Sequence, residues 1–304
     1  DQSNVESLVV AVSAAVGISA GGAVSLAISV SEATVDYGTS TRALIDSSAV
    51  TAQSGDITLR ALSTGLMDVD AAAAAISITA ATGVSLSGAG VGAIARVNSS
   101  SLTEAAIRGG SDVDALQGAI LIDADDSRTL DTDVVGIAIS IAASAGFAGG
   151  GAVTVTEIDN DYDGTVRAAI DDSAADASGT VQVLADATTS VAADAFGLSF
   201  ALSVGSGAAG FGIAAGVVNS DIGQTVEARI VDATVSGSAV SVMAEDHITA
   251  TAVARALSIG LAVGFGGGSL SIAAAVSNLR LNGATRAVID GSEVTANSGA
   301  VTVD

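Results

Sequence analysis

An elongated, all-β solenoid is the architecture that three features predict: one unit recurs about every sixty residues, large apolar residues alternate with small or polar ones along each unit, and proline is absent. The recurrence is anchored on one isoleucine. The segments RALIDSS (42–48), EAAIRGG (104–110), RAAIDDS (167–173), EARIVDA (227–233) and RAVIDGS (286–292) align on Ile45, Ile107, Ile170, Ile230 and Ile289, at spacings of 62, 63, 60 and 59 residues. A fixed period of this length marks a repeat architecture, in which each unit buries a face against the next. Along Leu257-Ser258-Ile259-Gly260-Leu261-Ala262-Val263 the large residues recur at every second position, the period of a strand and not of a helix. Proline would remove a ladder hydrogen bond, so its exclusion suits a chain whose strands are nearly all internal to a stack.

The recurrence divides the chain into a partial unit at 1–40, units at 41–102, 103–164, 165–224 and 225–283, and a second partial unit at 284–304, together one continuous array. Each isoleucine segment is followed by a short polar stretch, a glycine-containing turn and a second alternating strand, as in SGDITLRA from Ser54, QGAILIDA from Gln117 and SGTVQVLA from Ser178. A polar bend then leads into a long apolar strand, a Gly/Ala-rich turn and a return strand, read together as a β-hairpin. The turns are placed at 20–22, 149–151, 205–207 and 266–268, with a looser one at 88–90. Return strands are expected to end in bends near Asn98, Asp161, Asn219 and Asn278. The alternative to stacked coils is a continuous meander of long bent hairpins. Neither end carries a polar capping unit, so the chain reads as a window on a longer array or as a protomer completed by neighbours.

Composition bounds the core and the partners. Hydrophobic residues make up 49% of the chain but aromatics only 2%, and 36 residues are glycine, so the core must be thin, built from Ala, Val, Ile, Leu and Gly. The formal charge of -23 arises from 33 acidic against 10 basic residues, the latter all arginine, which excludes nucleic acid as a partner. Absence of cysteine excludes disulfides, thiolate metal sites and thiol nucleophiles. The charge-free runs Val134–Val155 and Ala195–Ser220 are long enough for a membrane helix, but their period-two pattern and glycine clusters make them strands.

Candidate chemistry is sparse. Asp159-Asn160-Asp161-Tyr162-Asp163-Gly164 has a D-x-D-x-D-G spacing, which in a loop would turn Asp159, Asp161 and Asp163 toward one calcium ion. Ile170 stands where an EF-hand needs its bidentate glutamate, so that class is excluded; a solvated acidic turn is the simpler reading. Asp123, Asp125, Asp126, Asp131 and Asp133, with Arg128 among them, read as an exposed acidic face rather than as the paired carboxylates of a glycosidase. His247 is the single histidine and lacks counterparts in other units, which argues for a surface residue over a Ser-His-Asp site. Gly205-Ser206-Gly207-Ala208-Ala209-Gly210 matches G-x-G-x-x-G, but no helix is expected after it.

In the pattern S-x-V-T-A-x-S-G-x-V-x-V, present as Ser48-Ala49-Val50-Thr51-Ala52-Gln53-Ser54-Gly55-Asp56-Ile57-Thr58-Leu59 and again at Ser292–Val303, the sequence resembles repeats of large secreted bacterial filamentous adhesins of the filamentous-haemagglutinin and leukotoxin type. The resemblance implies an extracellular, cell-surface fibre serving adhesion, biofilm cohesion or coating. Its implied partners are neighbouring repeats or copies of the chain, and glycans or proteins of a host or cell surface. It carries no catalytic residues, so a non-enzymatic role with no required cofactor is expected. A pore-forming or membrane-associated β protein is the main alternative, although membrane insertion is disfavoured by the scarcity of aromatics. A carbohydrate-active β-helix ranks below both.

Overall fold

The computed structural model describes residues 1–304, and the chain contains no helix. The first coil comprises β1 (Gln2–Ser19), β2 (Gly22–Asp46) and β3 (Ala49–Ala52); the second, β4 (Ile57–Ala81), β5 (Val84–Arg108) and β6 (Asp112–Ala115). The third has β7 (Ile120–Ser144), β8 (Phe147–Asp171) and β9 (Ala174–Ala177), and the fourth β10 (Val181–Val204), β11 (Gly207–Val231) and β12 (Thr234–Gly237). The fifth has β13 (Val240–Val263), β14 (Gly268–Asp290) and β15 (Glu293–Ala296), and β16 (Val301–Val303) opens a sixth. Every strand pairs in parallel with its equivalents in adjacent coils. The first sheet is β1-β4-β7-β10-β13-β16, the second β2-β5-β8-β11-β14, and the third, built of short strands, β3-β6-β9-β12-β15.

This is a β-solenoid whose register reproduces the sequence period. Ile45 pairs with Ile107, Ile107 with Ile170, Ile170 with Ile230 and Ile230 with Ile289, so one isoleucine column runs through all five coils. The expected hairpins are absent. The two long strands flanking each glycine turn lie in different sheets and face one another through side chains, so each connection is an arc. An alternating strand, a glycine and another alternating strand give the same local signal in both geometries; what differs is the hydrogen-bond partner, here about sixty residues away. Two glycine clusters placed in turns, 88–90 and 149–151, lie inside β5 and β8, and the arcs of those coils fall at 82–83 and 145–146. Nor do bends interrupt the return strands at Asn98, Asp161, Asn219 or Asn278, which lie within long unbroken strands.

The cross-section is a wedge, and its shape follows from the connections. At the thin edge four of the five arcs have only two residues, too few to reverse the chain while holding the sheets at the usual ~10 Å separation. The glycines of these arcs stack on one another: a Cβ on Gly83 would stand 2.6 Å from the Gly21 carbonyl oxygen, and one on Gly205 2.8 Å from that of Gly146. Only small side chains fit between the sheets here. Ala27, Ala73, Ala75, Ala93, Ala138 and Ala152 fill the gap, and serine and threonine hydroxyls bridge it, as with Ser199 Oγ to the Ala152 carbonyl at 2.7 Å and Thr154 Oγ1 to the Leu198 carbonyl at 2.7 Å. At the thick edge the third sheet holds the other two apart, and Ile57, Ile107, Ile120, Ile122, Ile170, Val181 and Ile230 occupy a conventional core. Corners into the third sheet use left-handed backbone at Ser47, Asp172, Asp232 and Gly291, with φ of 49°, 47°, 51° and 57°; short polar residues and glycine tolerate that conformation best.

Candidate functional site

Because strand side chains alternate between faces, parity decides what each candidate residue can do. In β7 the odd positions Asp123, Asp125, Asp131 and Asp133 point outward, whereas Asp126 and Arg128 point inward with Ala124 and Leu130. The five aspartates therefore do not form one exposed face. Asp126 and Arg128, with side chains 1% and 3% exposed, make an enclosed ion pair at 2.8 Å. Arg128 also donates to Ser63 Oγ at 2.6 Å and Thr39 Oγ1 at 2.9 Å, reaching across two coils, while Ser101 Oγ donates to Asp126 at 2.9 Å. Gly65 leaves the space that the Arg128 guanidinium fills. Tyr162 lies 3.1 Å from Ser101, and burial foremost pushes its phenol up. This network is sealed from solvent and holds coils together; it offers no route to a substrate.

The outward acids form ladders at one-coil spacing. Asp70, Asp133 and Asp194 stack in successive coils, as do Asp125, Asp186 and Glu245, and Asp68 pairs with Asp131. Partial burial, followed by the carboxylates of Asp131, Asp70 and Asp194, pushes Asp133 up; burial and then Asp186 and Asp123 do the same to Asp125. Arg60 relieves one ladder through Asp123 at 2.8 Å and Arg255 another through Asp194 at 2.8 Å. Such a strip attracts counter-ions electrostatically, yet no three acidic or imidazole groups converge into a metal cluster.

Asp159, Asp161 and Asp163 occupy the outer face of β8, in the middle of a 25-residue strand rather than a loop. Extended backbone sets successive same-face residues about 7 Å apart along the strand, so the loop chelation their spacing suggested has no counterpart. Asp159 and Asp161 border an open groove of about 320 Å³ with Asn219, Asp221 and Arg280, and Asp163 lies outside it; Asn278 Nδ2 donates to Asn219 Oδ1 at 2.9 Å and Asn282 Nδ2 to Asp221 Oδ1 at 2.9 Å. His247 is exposed on β13 opposite Thr188. The G-x-G-x-x-G segment passes from an arc directly into β11, without the helix a dinucleotide site requires.

Two features were not read from the sequence. First, Arg42, Glu104, Arg167, Glu227 and Arg286 stack in register, alternating in sign from coil to coil. Glu104, nearly buried, stands 3.5 Å from Arg42 and 3.7 Å from Arg167, and Glu227 3.2 Å from Arg167. The signal was present as the first letter of the five aligned segments. Second, the large apolar residues beside the glycine arcs face outward. Ile18 is 81% exposed, Val12 72%, Val24 73% and Leu26 64%, and the same parity places Ile139, Phe200 and Ile259 outside in later coils. All five phenylalanines belong to this half of the chain, and Phe265 at an arc is fully exposed.

Comparison with protein-family models, with curated proteins and with solved structures returned no match.

Proposed function

We propose that the chain is a structural or adhesive segment of an extracellular bacterial surface assembly, acting as a stiff repetitive body and not as an enzyme. The observation that carries this reading is the unbroken parallel register of all three sheets, cross-tied by the isoleucine column and the alternating arginine–glutamate column. Each coil engages its neighbours along its full length, which is the property a load-bearing element needs. Dimensions sharpen the reading. A strand of 25 residues spans about 80 Å, whereas each coil of about sixty residues advances the axis by only ~4.8 Å. A thousand such residues would extend the solenoid by roughly 80 Å, so broad coating or cohesive layers suit it better than a long projection. The acidic ladders favour solubility and long-range repulsion of other acidic surfaces. Protease treatment of intact source cells tests the location and role together: cleavage from the surface, with loss of adhesion or biofilm cohesion, is expected, and protection until the cells are lysed overturns the reading.

A membrane-associated role is favoured by one observation, the outward aliphatic faces beside the arcs, which resemble a lipid-facing surface in composition. Flotation with phosphatidylcholine vesicles distinguishes it, since a surface-coat element without lipid contact stays at the bottom of the gradient.

A further inference from the structure

The charges of this chain are partitioned. Residues 7–31, 71–95, 134–156, 195–220 and 256–279, which form the arc half of every coil, contain none. Their inward strand positions carry mostly Ala, Ser, Thr and Gly, with Val9, Val91, Val134, Val218 and Leu279 toward the thick edge, and their outward strand positions carry Val, Leu, Ile, Phe, Ala and Gly, with Asn219 and Asn278 at the far end and no hydroxyl. Register lines these up in columns, such as Val16, Ile78, Ile141, Leu202 and Leu261 on the first sheet. Five strands at ~4.8 Å, each contributing about twelve residues at ~3.3 Å, make a face of on the order of 900 Å² on each side of the wedge. The largest apolar patch on a typical monomer is about 300–600 Å², and each partner in a stable protein interface buries about 800 Å². Each face alone is thus of the size that a stable interface needs.

The two faces differ in relief. On the first sheet Phe196, Leu198, Phe200 and Leu202 of β10 run along one strand as a ridge, its two phenylalanines standing above Ile137, Ile139 and Ile141 of β7 on one side and Leu257, Ile259 and Leu261 of β13 on the other. On the second sheet Gly88, Gly90 and Gly92 of β5 make a trough one strand wide, with Leu26, Ile28 and Val30 of β2 as one wall and Val153 and Val155 of β8 as the other; it widens at Gly88, where Gly151 adjoins and Phe211 stands beyond. Glycine at several of these positions is not demanded from within. A Cβ on Gly90 would meet only Ile28, at 3.8 Å, one on Gly92 only Val30, at 3.7 Å, and one on Gly151 only Phe211, at 3.6 Å, all ordinary contact distances, and none of the three has positive φ. Interior glycines differ: a Cβ on Gly260 would stand 2.8 Å from the Leu270 carbonyl oxygen. Glycine weakens a strand, and one that the chain's own packing does not require marks a close approach from outside.

We propose that the occupant of these faces is a second copy of this chain, the ridge of one molecule's first sheet seated in the trough of the next molecule's second sheet. Lipid needs no trough, whereas a flat sheet with a matching ridge does. Because the two surfaces lie on opposite sides of the wedge, the contact is heterologous, so copies add laterally one after another into ribbons whose curvature follows the wedge angle. This surface assignment is independent of adhesion, and a chain with any role would carry it.

Sedimentation velocity over a concentration series tests the contact. The native chain is expected to form a ladder of species that lengthens with concentration. Substituting the ridge (Ile139→Glu with Phe200→Glu) or the trough wall (Ile28→Glu with Val153→Glu) is expected to give monomers, since these side chains lie outside the fold's own core. An equimolar mixture of the two variants should then form dimers and nothing larger, each supplying the face the other lacks. Gly90→Leu with Gly92→Leu fills the trough while making the face more apolar, and should weaken association at least tenfold. Native chain that is monomeric throughout, a mixture that stays monomeric, or equal or tighter association after filling the trough would each overturn the proposal. So would phosphatidylcholine vesicles binding the trough-filled chain as well as the native one while no ribbons form.

Discussion

Replacing Asp126 with alanine leaves a guanidinium enclosed in the solenoid with no counter-charge. Arg128 is 3% exposed, and its remaining partners are the hydroxyls of Ser63, Thr39 and, at 3.4 Å, Ser3. Removing one member of a buried ion pair costs about 3–5 kcal/mol, because the remaining charge stays desolvated. Ser101 also loses its carboxylate acceptor, although Tyr162 at 3.1 Å remains available to it. A loss of about 4 kcal/mol is therefore expected for Asp126→Ala. Replacing both partners, as in Asp126→Leu with Arg128→Leu, removes the stranded charge and should recover most of that loss, since apolar replacement of a buried pair is commonly neutral or stabilising by about 1–4 kcal/mol. Urea titration of Asp126→Leu, Arg128→Leu and the double variant measures the coupling. A single-variant loss below about 1 kcal/mol, the range of exposed pairs, would refute the claim that this pair is buried and bridges coils.

The other predictions follow from the same geometry. Ile170→Ala, in the middle of the isoleucine column and fully buried, should cost about 2–5 kcal/mol in urea unfolding. Gly205→Ala places a Cβ 2.8 Å from the Gly146 carbonyl oxygen and should cost about 1–3 kcal/mol, whereas Gly90→Ala meets nothing nearer than 3.8 Å and should leave the melting temperature unchanged or raised. Acidification should stabilise the chain: burial first, with neighbouring carboxylates in most cases, raises Asp70, Asp125, Asp133, Asp186 and Asp246, so the folded state binds more protons than the unfolded one. Stability from these groups is complete below the ordinary carboxylate value of about 3.9 and is lost as pH rises through their folded values. Asp46, lowered mainly by its hydrogen bond to Arg108, acts in the opposite sense and is outnumbered. Calorimetric scans at pH 4 and pH 7 check the sign, and a lower melting temperature at pH 4 contradicts it.

Much of the fold could be read from recurrence, because the spacing of the isoleucines is itself the hydrogen-bond register: 62 residues separate Ile45 from Ile107, and the two are direct ladder partners. Less could be read from alternation. A period of two fixes which residues share a face but not which face turns inward, and size is no guide, because the large residues change face along one strand while the inward parity stays the same. In β4, Ile57 and Leu59 at the thick edge are buried, whereas Ile76 and Ile78 near the arc are exposed. What decides is the distance between sheets, set by a two-residue arc at one edge and a third sheet at the other, and single-strand patterns do not contain it. The same parity separates Asp126 from Asp125, a distinction lost when acidic residues are grouped by proximity in sequence. The D-x-D-x-D-G run was misread for a related reason: its glycine suits a turn locally, but 25 residues of ladder pairing on both sides hold β8 straight.

Parallel stacking of coils is the claim on which every energetic argument above depends, and paired nitroxide labels test it most directly in a chain with no cysteine of its own. Ser127→Cys and Thr188→Cys lie outward on adjacent strands in register, 61 residues apart in sequence, so their labels should show strong dipolar and exchange broadening. Ser127→Cys and Asp163→Cys, which a hairpin around the third arc would place one residue from opposite, point outward from different sheets far from the arc and should broaden far less. Sharp spectra from the 127–188 pair together with strong broadening from the 127–163 pair would contradict the stacked solenoid.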